Sequence, residues 1–287
     1  MKNTPLELKL CDLHTHSTFS DGTLTPEELI CEAKRVGLAA IALTDHNTVA
    51  GLDEFLSAGE RHGVEAVPGI ELSTEWEGHE LHVIGLYIKN ENYEKLAALV
   101  KEMQLRKEKA YRDCIDSLKR AGYHIEDYDS ISAKCQGQAN RAHIAKALAE
   151  GGYVASPKEA FANLISPKGE HYRTPKYLDS AETISCLKSI GALAILAHPY
   201  LSLSDEDVAR FLPLAKAAGL DAMETVYSRY DEKTTALAKQ RAEQNGILES
   251  GGSDFHGPLK PDVALGSGCG NLVIPYEILE NLKKCLK

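Results

Sequence analysis

Apolar runs alternate with amphipathic stretches along this chain, and that alternation divides it into strands and helices before any chemistry is considered. Leu8, Leu10 and Leu13 mark a short buried strand. Thr25-Pro26-Glu27-Glu28 then opens a helix, with a capping residue, a proline preset for the first helical position and two acids at the positive dipole end. Leu29, Ile30, Ala33 and Val36 supply its apolar face, and Gly37 ends it. Residues 39–43 are continuously apolar, as in a strand covered on both faces. A second helix over 49–62 leads to a strand over 64–70, so the chain to this point is βαβαβ, and 80–88 then reads as another strand. From 92 to 122 a long charged helix follows, with further helices at 141–150 and 157–164 and no good strand between. The alternation then resumes: a helix from 181, a strand at 192–197, a helix opened by Ser204, a strand at 221–226, a helix at 232–245, strands at 247–249 and 272–274, and a closing helix at 276–286. The pattern predicts an α/β chain, residues 1–98 with 178–287, interrupted by a helical insertion over 99–177.

Composition narrows the class. A length of 287 residues suits one large domain, or one domain with an insertion. No run of apolar residues is long enough to span a bilayer, and the amino terminus lacks the apolar core of a signal peptide, so a cytoplasmic protein with no membrane partner is expected. The seven cysteines form no C-x-x-C pair and read as reduced thiols. A net charge of −10 argues against duplex DNA as a partner. It leaves room for an anionic substrate, because bound metal ions reverse the local field of an acidic site.

Candidate chemistry collects at the strand ends. His14 and His16 follow the first strand with one residue between them, and neutral imidazoles so placed suit Zn, Mn or Fe. Asp21 adds a hard carboxylate in an Asp-Gly turn. His46, Glu71, His198, Asp254 and His256 also follow predicted strands, whereas His82 lies within one. In parallel βα architectures the carboxyl ends of the strands converge on the active site, so these residues together predict a polynuclear metal site. His62 reads as a partner of its helix dipole, His79 as a solvated turn residue, and His124 and His171 as surface or loop residues.

These motifs, Asp12-Leu13-His14-Thr15-His16, Ser20-Asp21-Gly22, Thr44-Asp45-His46, Gly69-Ile70-Glu71, Ala197-His198-Pro199 and Ser253-Asp254-Phe255-His256, resemble those of the PHP (polymerase and histidinol phosphatase) superfamily. The resemblance implies a distorted (β/α)7 barrel holding two or three divalent metal ions, manganese first and iron or zinc as alternatives, with the helical insertion capping the active site. It implies that His14, His16, Glu71 and Asp254 hold one ion, that Glu71 bridges to a second completed by His82 and His198, and that Asp21, His46 and His256 hold a third. Asp45 is expected to orient a neighbouring imidazole.

Within the superfamily the chain is most similar to the small enzymes that include 3′,5′-nucleoside bisphosphate phosphatases and a 5′–3′ exoribonuclease. Gly69-Ile70-Glu71-Leu72-Ser73-Thr74, Glu80-Leu81-His82-Val83-Ile84-Gly85-Leu86, Asn140-Arg141-Ala142-His143 and Asp221-Ala222-Met223-Glu224 carry that likeness. It implies Arg141 and His143 as phosphate-gripping, catalytic residues and Lys168 as a further substrate contact, an arginine fork being matched to phosphate oxygens. A water between ions that share Glu71, its pKa lowered from about 15.7 towards about 7, then supplies the hydroxide nucleophile. The expected substrate is a small phosphorylated nucleotide, a 3′,5′-nucleoside bisphosphate cleaved at its 3′-phosphate, or a short 5′-phosphorylated oligonucleotide. Aromatic content of 6% speaks against long RNA. Cyclic-nucleotide phosphodiester hydrolysis is one alternative. Histidinol-phosphate hydrolysis is another, in which Glu224 would receive the amine. A non-catalytic, polymerase-accessory metal domain is the alternative of another class.

Overall fold

The structure, a computed structural model, describes residues 8–135, 139–166, 169–175 and 177–286, leaving aside the Glu102 side chain. Two compact units are present, Met1–Leu96 with Leu178–Lys287, and Ala97–Tyr177.

The first unit is a nearly closed barrel of seven strands with helices around it. Its strands are β1 (Leu10–Asp12), β2 (Leu38–Leu43), β3 (Glu65–Trp76), β4 (His79–Leu86), β6 (Leu193–Ala197), β7 (Ala222–Tyr227) and β8 (Leu248–Gly252), and the two-residue β5 (Leu178–Asp179) pairs with β3 off the main path. From β8 the sheet approaches β1 again through Leu13 N donating to Gly251 O at 3.2 Å. Alternate residues point inward and fill the barrel: Cys11 and Leu13, Ala40 and Ala42, Ile84 and Leu86, and Leu193, Ile195 and Ala197 belong to one buried cluster. Helix α10 (Tyr276–Lys283) adds Leu279 and Leu282 to that cluster, and Tyr276 N donates to Lys9 O just before β1. The amino ends of the strands are thereby covered.

Helices α1 (Pro26–Arg35) and α2 (Leu52–His62) pack on β2 and β3. Thr25 and Glu28 close a reciprocal capping box at the start of α1, as the Thr-Pro-Glu-Glu pattern predicts. Helices α7 (Ser180–Ser189), α8 (Asp205–Ala218) and α9 (Glu232–Gln244) complete the layer.

Two expectations need correction. The strand predicted at 64–70 runs on to Trp76 and turns back into β4, which pairs antiparallel with both β3 and β6. Glu71 therefore stands mid-strand rather than at a strand end. Residues 272–274 form no strand: they lie alongside β1, with Cys11 N donating to Ile274 O at 3.0 Å, because one backbone bond and an isolated bridge from Leu10 to Pro275 do not propagate a ladder.

The second unit consists, among the described residues, of most of α3 (Tyr93–Arg120) with α4 (Tyr128–Ala133), α5 (Arg141–Glu150) and α6 (Pro157–Asn163). Its own core gathers Cys114, Ile115, Leu118, Ile131, Ile144, Leu148 and Ile165.

Candidate metal centre

Nine side chains named from the motifs meet at one end of the barrel. Glu71 is at their centre and fully buried. Its Oε1 lies 2.8 Å from His82 Nδ1, 3.1 Å from His198 Nε2 and 3.3 Å from His14 Nε2, while its Oε2 lies 2.8 Å from His46 Nδ1 and 3.4 Å from His16 Nε2. Around these, Asp254 Oδ1 is 3.2 Å from His16 Nε2, and Asp21 Oδ1 is 3.1 Å from His256 Nε2.

Local backbone geometry aims each group. His82 is opposite Ser73 in the β3–β4 register, so it shares a sheet face with Glu71 two residues along. Strict alternation would turn His198 away from that face, because Ala197 is the residue opposite His82, but a φ of 27° at His198 swings its ring inward. Asp254 also takes a positive φ, 57°. Close approach does the rest at His14: a Cβ on Gly252 would fall 2.1 Å from His14 Cβ, so only glycine lets β8 come this near to the His14 backbone.

A shell of buried hydrogen bonds holds the donors. Glu224 lies behind the centre with both oxygens engaged, Oε1 accepting from His14 Nδ1 at 3.0 Å and Oε2 from His198 N at 2.7 Å. This corrects the expectation of a carboxylate offered to substrate: a fully buried group with both oxygens taken orients His14 instead. Asp45, too, differs from expectation. It accepts from Ser17 N at 2.8 Å, Ser17 Oγ at 2.6 Å and Ser20 Oγ at 2.5 Å, and so braces the loop between His16 and Asp21 rather than an imidazole. Asp12 accepts from Ser253 N and Gly266 N, both at 2.9 Å, tying β1 to the loops after β8.

Tyr227 and Lys260 were not singled out by the sequence reading. Tyr227 Oη donates to Asp254 Oδ2 at 2.8 Å, and Lys260 Nζ reaches the same oxygen at 2.9 Å, leaving Oδ1 towards the histidines. The β7–β8 register shifts between Glu224 and Val226, and this bulge puts Tyr227 on the face of Glu224. No one-strand periodicity signals it.

Electrostatics separate the roles. Burial alone would raise the Glu71 carboxyl, but His46, His82 and His14 outweigh it and hold the group well below the usual carboxylate range. Asp21, through His256 and His46, and Asp254, through Lys260 and His256, are likewise depressed against their burial. His16 goes well below the usual imidazole value through burial and the neighbouring His256 and His46, which leaves it neutral and ready to ligate.

A metal fits this donor set. His14 Nε2 and His16 Nε2 face each other at 3.1 Å, and two donors sharing one ion at about 2.1 Å are themselves about 3.0–3.4 Å apart. Among the described residues, His46 Nδ1 and Glu71 Oε2 are buried atoms without a hydrogen bond. Four overlapping groups have donor atoms close enough to hold an ion: His16, Asp21, His46 and His256; His14, Glu71 and His198; His14, His16 and Asp254; and His46, Glu71 and His82.

Arg141 and His143 belong to the second unit. There the Arg141 guanidinium sits over the Tyr172 and Phe161 rings at 4.8 and 5.3 Å, and His143 Nδ1 accepts from Asn140 N at 3.1 Å. Lys168 lies outside the described residues.

Comparison with known proteins agrees with this geometry. The PHP domain model matches residues 12–179. A 5′–3′ exoribonuclease of Haemophilus influenzae is 33% identical over 87% of this chain and 91% of its own length. A 3′,5′-nucleoside bisphosphate phosphatase of Chromobacterium violaceum is 30% identical over 86% and 87%, and a phosphoribosyl 1,2-cyclic phosphate 1,2-diphosphodiesterase of Eggerthella lenta is 31% identical over 86% and 94%. A crystal structure from Bifidobacterium adolescentis, described as that of a metal-dependent phosphoesterase, superposes with a TM-score of 0.85 at 26% identity, covering 98% of each chain. With the motifs, the barrel and these relatives in agreement, the chain belongs to the PHP domain family, as one of its metal-dependent phosphoesterases.

Proposed function

We propose that this enzyme removes the 3′-phosphate of 3′,5′-nucleoside bisphosphates with the help of two or three divalent cations, manganese first and iron or zinc as alternatives. One observation carries the reading: the two oxygens of Glu71 face different imidazoles, His14, His82 and His198 on one side and His16 and His46 on the other. A carboxylate so placed suits a bridging ligand. The bisphosphate phosphatase among the relatives supplies the substrate class.

Bound cations supply Lewis-acid polarisation of the phosphoryl oxygens and a water acidic enough to ionise near neutral pH. The chain's own part is to place and neutralise charge. Asp21, Glu71 and Asp254 are buried carboxylates held in the charged form, and they would repel a phosphate dianion unless cations reverse the field. His14, His16, Glu71 and Asp254 are assigned to one cation, His82, His198 and the same Glu71 to a second, and Asp21, His46 and His256 to a third. Arg141 is assigned to the substrate phosphate. The Nδ1 of His143 accepts a hydrogen bond, so a neutral ring carries its proton on Nε2 and offers that N–H as a hydrogen-bond donor to a phosphate oxygen.

The exoribonuclease relative favours a second substrate for the same chemistry, a short 5′-phosphorylated oligoribonucleotide. Histidinol phosphate loses its main support, because Glu224 is buried and doubly bonded.

The test is phosphate release from adenosine 3′,5′-bisphosphate by manganese-reconstituted protein, with the nucleotide product identified by chromatography. AMP and one phosphate, abolished by His82→Ala, is the expected result. No release from a preparation that cleaves a chromogenic phosphoester would sink this substrate and leave cyclic phosphodiesters next.

A further inference from the structure

The second unit contains a cavity of about 450 Å3 whose walls include Arg106, Lys109, Ser117, Arg120, His171 and Arg173. That volume is within the range of about 300–1,000 Å3 usual for small-ligand sites. Tyr111, Cys114, Ile115 and Leu118 of α3 face the core of the unit, and the neighbouring side of the same helix presents Arg106, Lys109, Asp113, Ser117 and Arg120 to the cavity. The turn over 169–175 brings His171 and Arg173 across from them.

Charge pairing in the cavity is incomplete in a specific way. Asp113 is taken by Lys109 at 2.6 Å. Arg112, on the same helix but outside the cavity, bonds both Glu108 and Asp129. Arg120 and Arg173, in contrast, have no carboxylate partner among the described residues. Arg173 Nη1 donates to Gly169 O at 2.6 Å and Tyr172 O at 2.9 Å, which fixes the turn and leaves the other guanidinium nitrogens to bind. His171 Nδ1 pairs with Ser117 Oγ at 2.9 Å, and its ring stands edge-on to Tyr123, so its orientation is set as well. Glu170 also lines the cavity, yet no ion pair joins it to Arg120 or Arg173 among the described residues.

We propose that this cavity is an anion site for a phosphate-bearing ligand, its phosphate oxygens received by the Arg120 and Arg173 guanidinium groups. The phosphate has two sources with the same chemistry, the backbone of a short single-stranded nucleic acid or a free polyphosphate compound. The site is additional to the metal-dependent reaction and does not rest on that substrate reading.

The test uses the full chain stripped of metal by chelation, so that the barrel cations contribute nothing. Pyrophosphate is titrated by calorimetry, and a labelled 5′-phosphorylated oligoribonucleotide by fluorescence anisotropy. The expected result is saturable binding of at least one of the two, weakened about tenfold or more by Arg120→Glu with Arg173→Glu and unchanged by Arg35→Glu, an exposed arginine of the first unit. Should the charge reversal fail to fold, Arg120→Gln with Arg173→Gln, checked by its melting curve, gives the same comparison. Oligonucleotide binding whose salt dependence shallows by about one phosphate contact in the variant identifies a nucleic-acid backbone. Binding of pyrophosphate alone identifies a free polyphosphate. Absence of saturable binding for both, or equal weakening by Arg35→Glu, overturns the proposal.

Discussion

His46 Nδ1 and Glu71 Oε2 face each other at 2.8 Å in the barrel, and neither atom makes a hydrogen bond among the described residues. Two buried polar atoms brought this close without hydrogen-bond geometry carry a desolvation cost that a shared cation offsets.

Glu71→Gln keeps the shape and removes the charge. The variant is expected to lose bound metal and at least about a hundredfold in turnover, a loss at or beyond the upper end of what contacts behind a metal ligand cost. Metal content by mass spectrometry beside phosphoesterase rates checks this. A full complement of metal in the variant would remove Glu71 from the centre.

Glu224 acts one layer further out. Replacing it by Gln puts an amide N–H against either the His14 ring or the His198 N–H, and the expected cost is about 10- to 100-fold in metal affinity. Competition with a graded chelator measures it. Similar melting temperatures for the two metal-free proteins would separate this effect from a fold defect.

Asp12 is a structural knot. Asp12→Ala strands Ser253 N and Gly266 N in the interior, at about 1–3 kcal/mol each, so a loss of about 2–5 kcal/mol is expected in urea denaturation. A loss below about 1 kcal/mol would mean that water replaces the carboxylate.

The Cys11 thiol inside the barrel is pushed up to about 12, first by burial and then by Asp12. Below the ordinary thiol value both the folded and the unfolded chain keep the proton, and stability is unaffected. Above it the unfolded chain ionises first, so stability falls as pH rises from about 9 towards 12, by about 1.4 kcal/mol per pH unit for this group. Denaturation curves of the protein and of Cys11→Ala across that window check it, the variant being expected to fall less steeply. Parallel slopes would assign the alkaline loss to other groups.

Much of the barrel was legible because its signals are local. Apolar runs, the Thr25 cap and glycine stops are written within a few residues of the elements they define, and β2, α1, α5 and α9 fall close to where the pattern puts them. Helix α4 escaped notice because Tyr128–Ala133 is too short to show a periodic face. Nine donor residues were legible as types at strand-associated positions, since imidazoles and carboxylates in such motifs have few structural uses. What each carboxylate does was less legible: Glu224 reads in sequence as a substrate contact and Asp45 as the orienter of an imidazole, whereas Glu224 braces His14 and Asp45 braces the loop after His16.

By itself, then, the sequence determined which segments become strands and helices, that the middle of the chain is helical, and which residue types a metal would have to use. Tertiary structure decided the rest. The antiparallel return of β4 sets His82 beside Glu71, the bulge in β7 turns Tyr227 onto Asp254, and a positive φ brings His198 inward. Each depends on which strand lies alongside and in what register. Pairing energy is shared between segments far apart in the chain, and a periodicity read along one strand does not contain it.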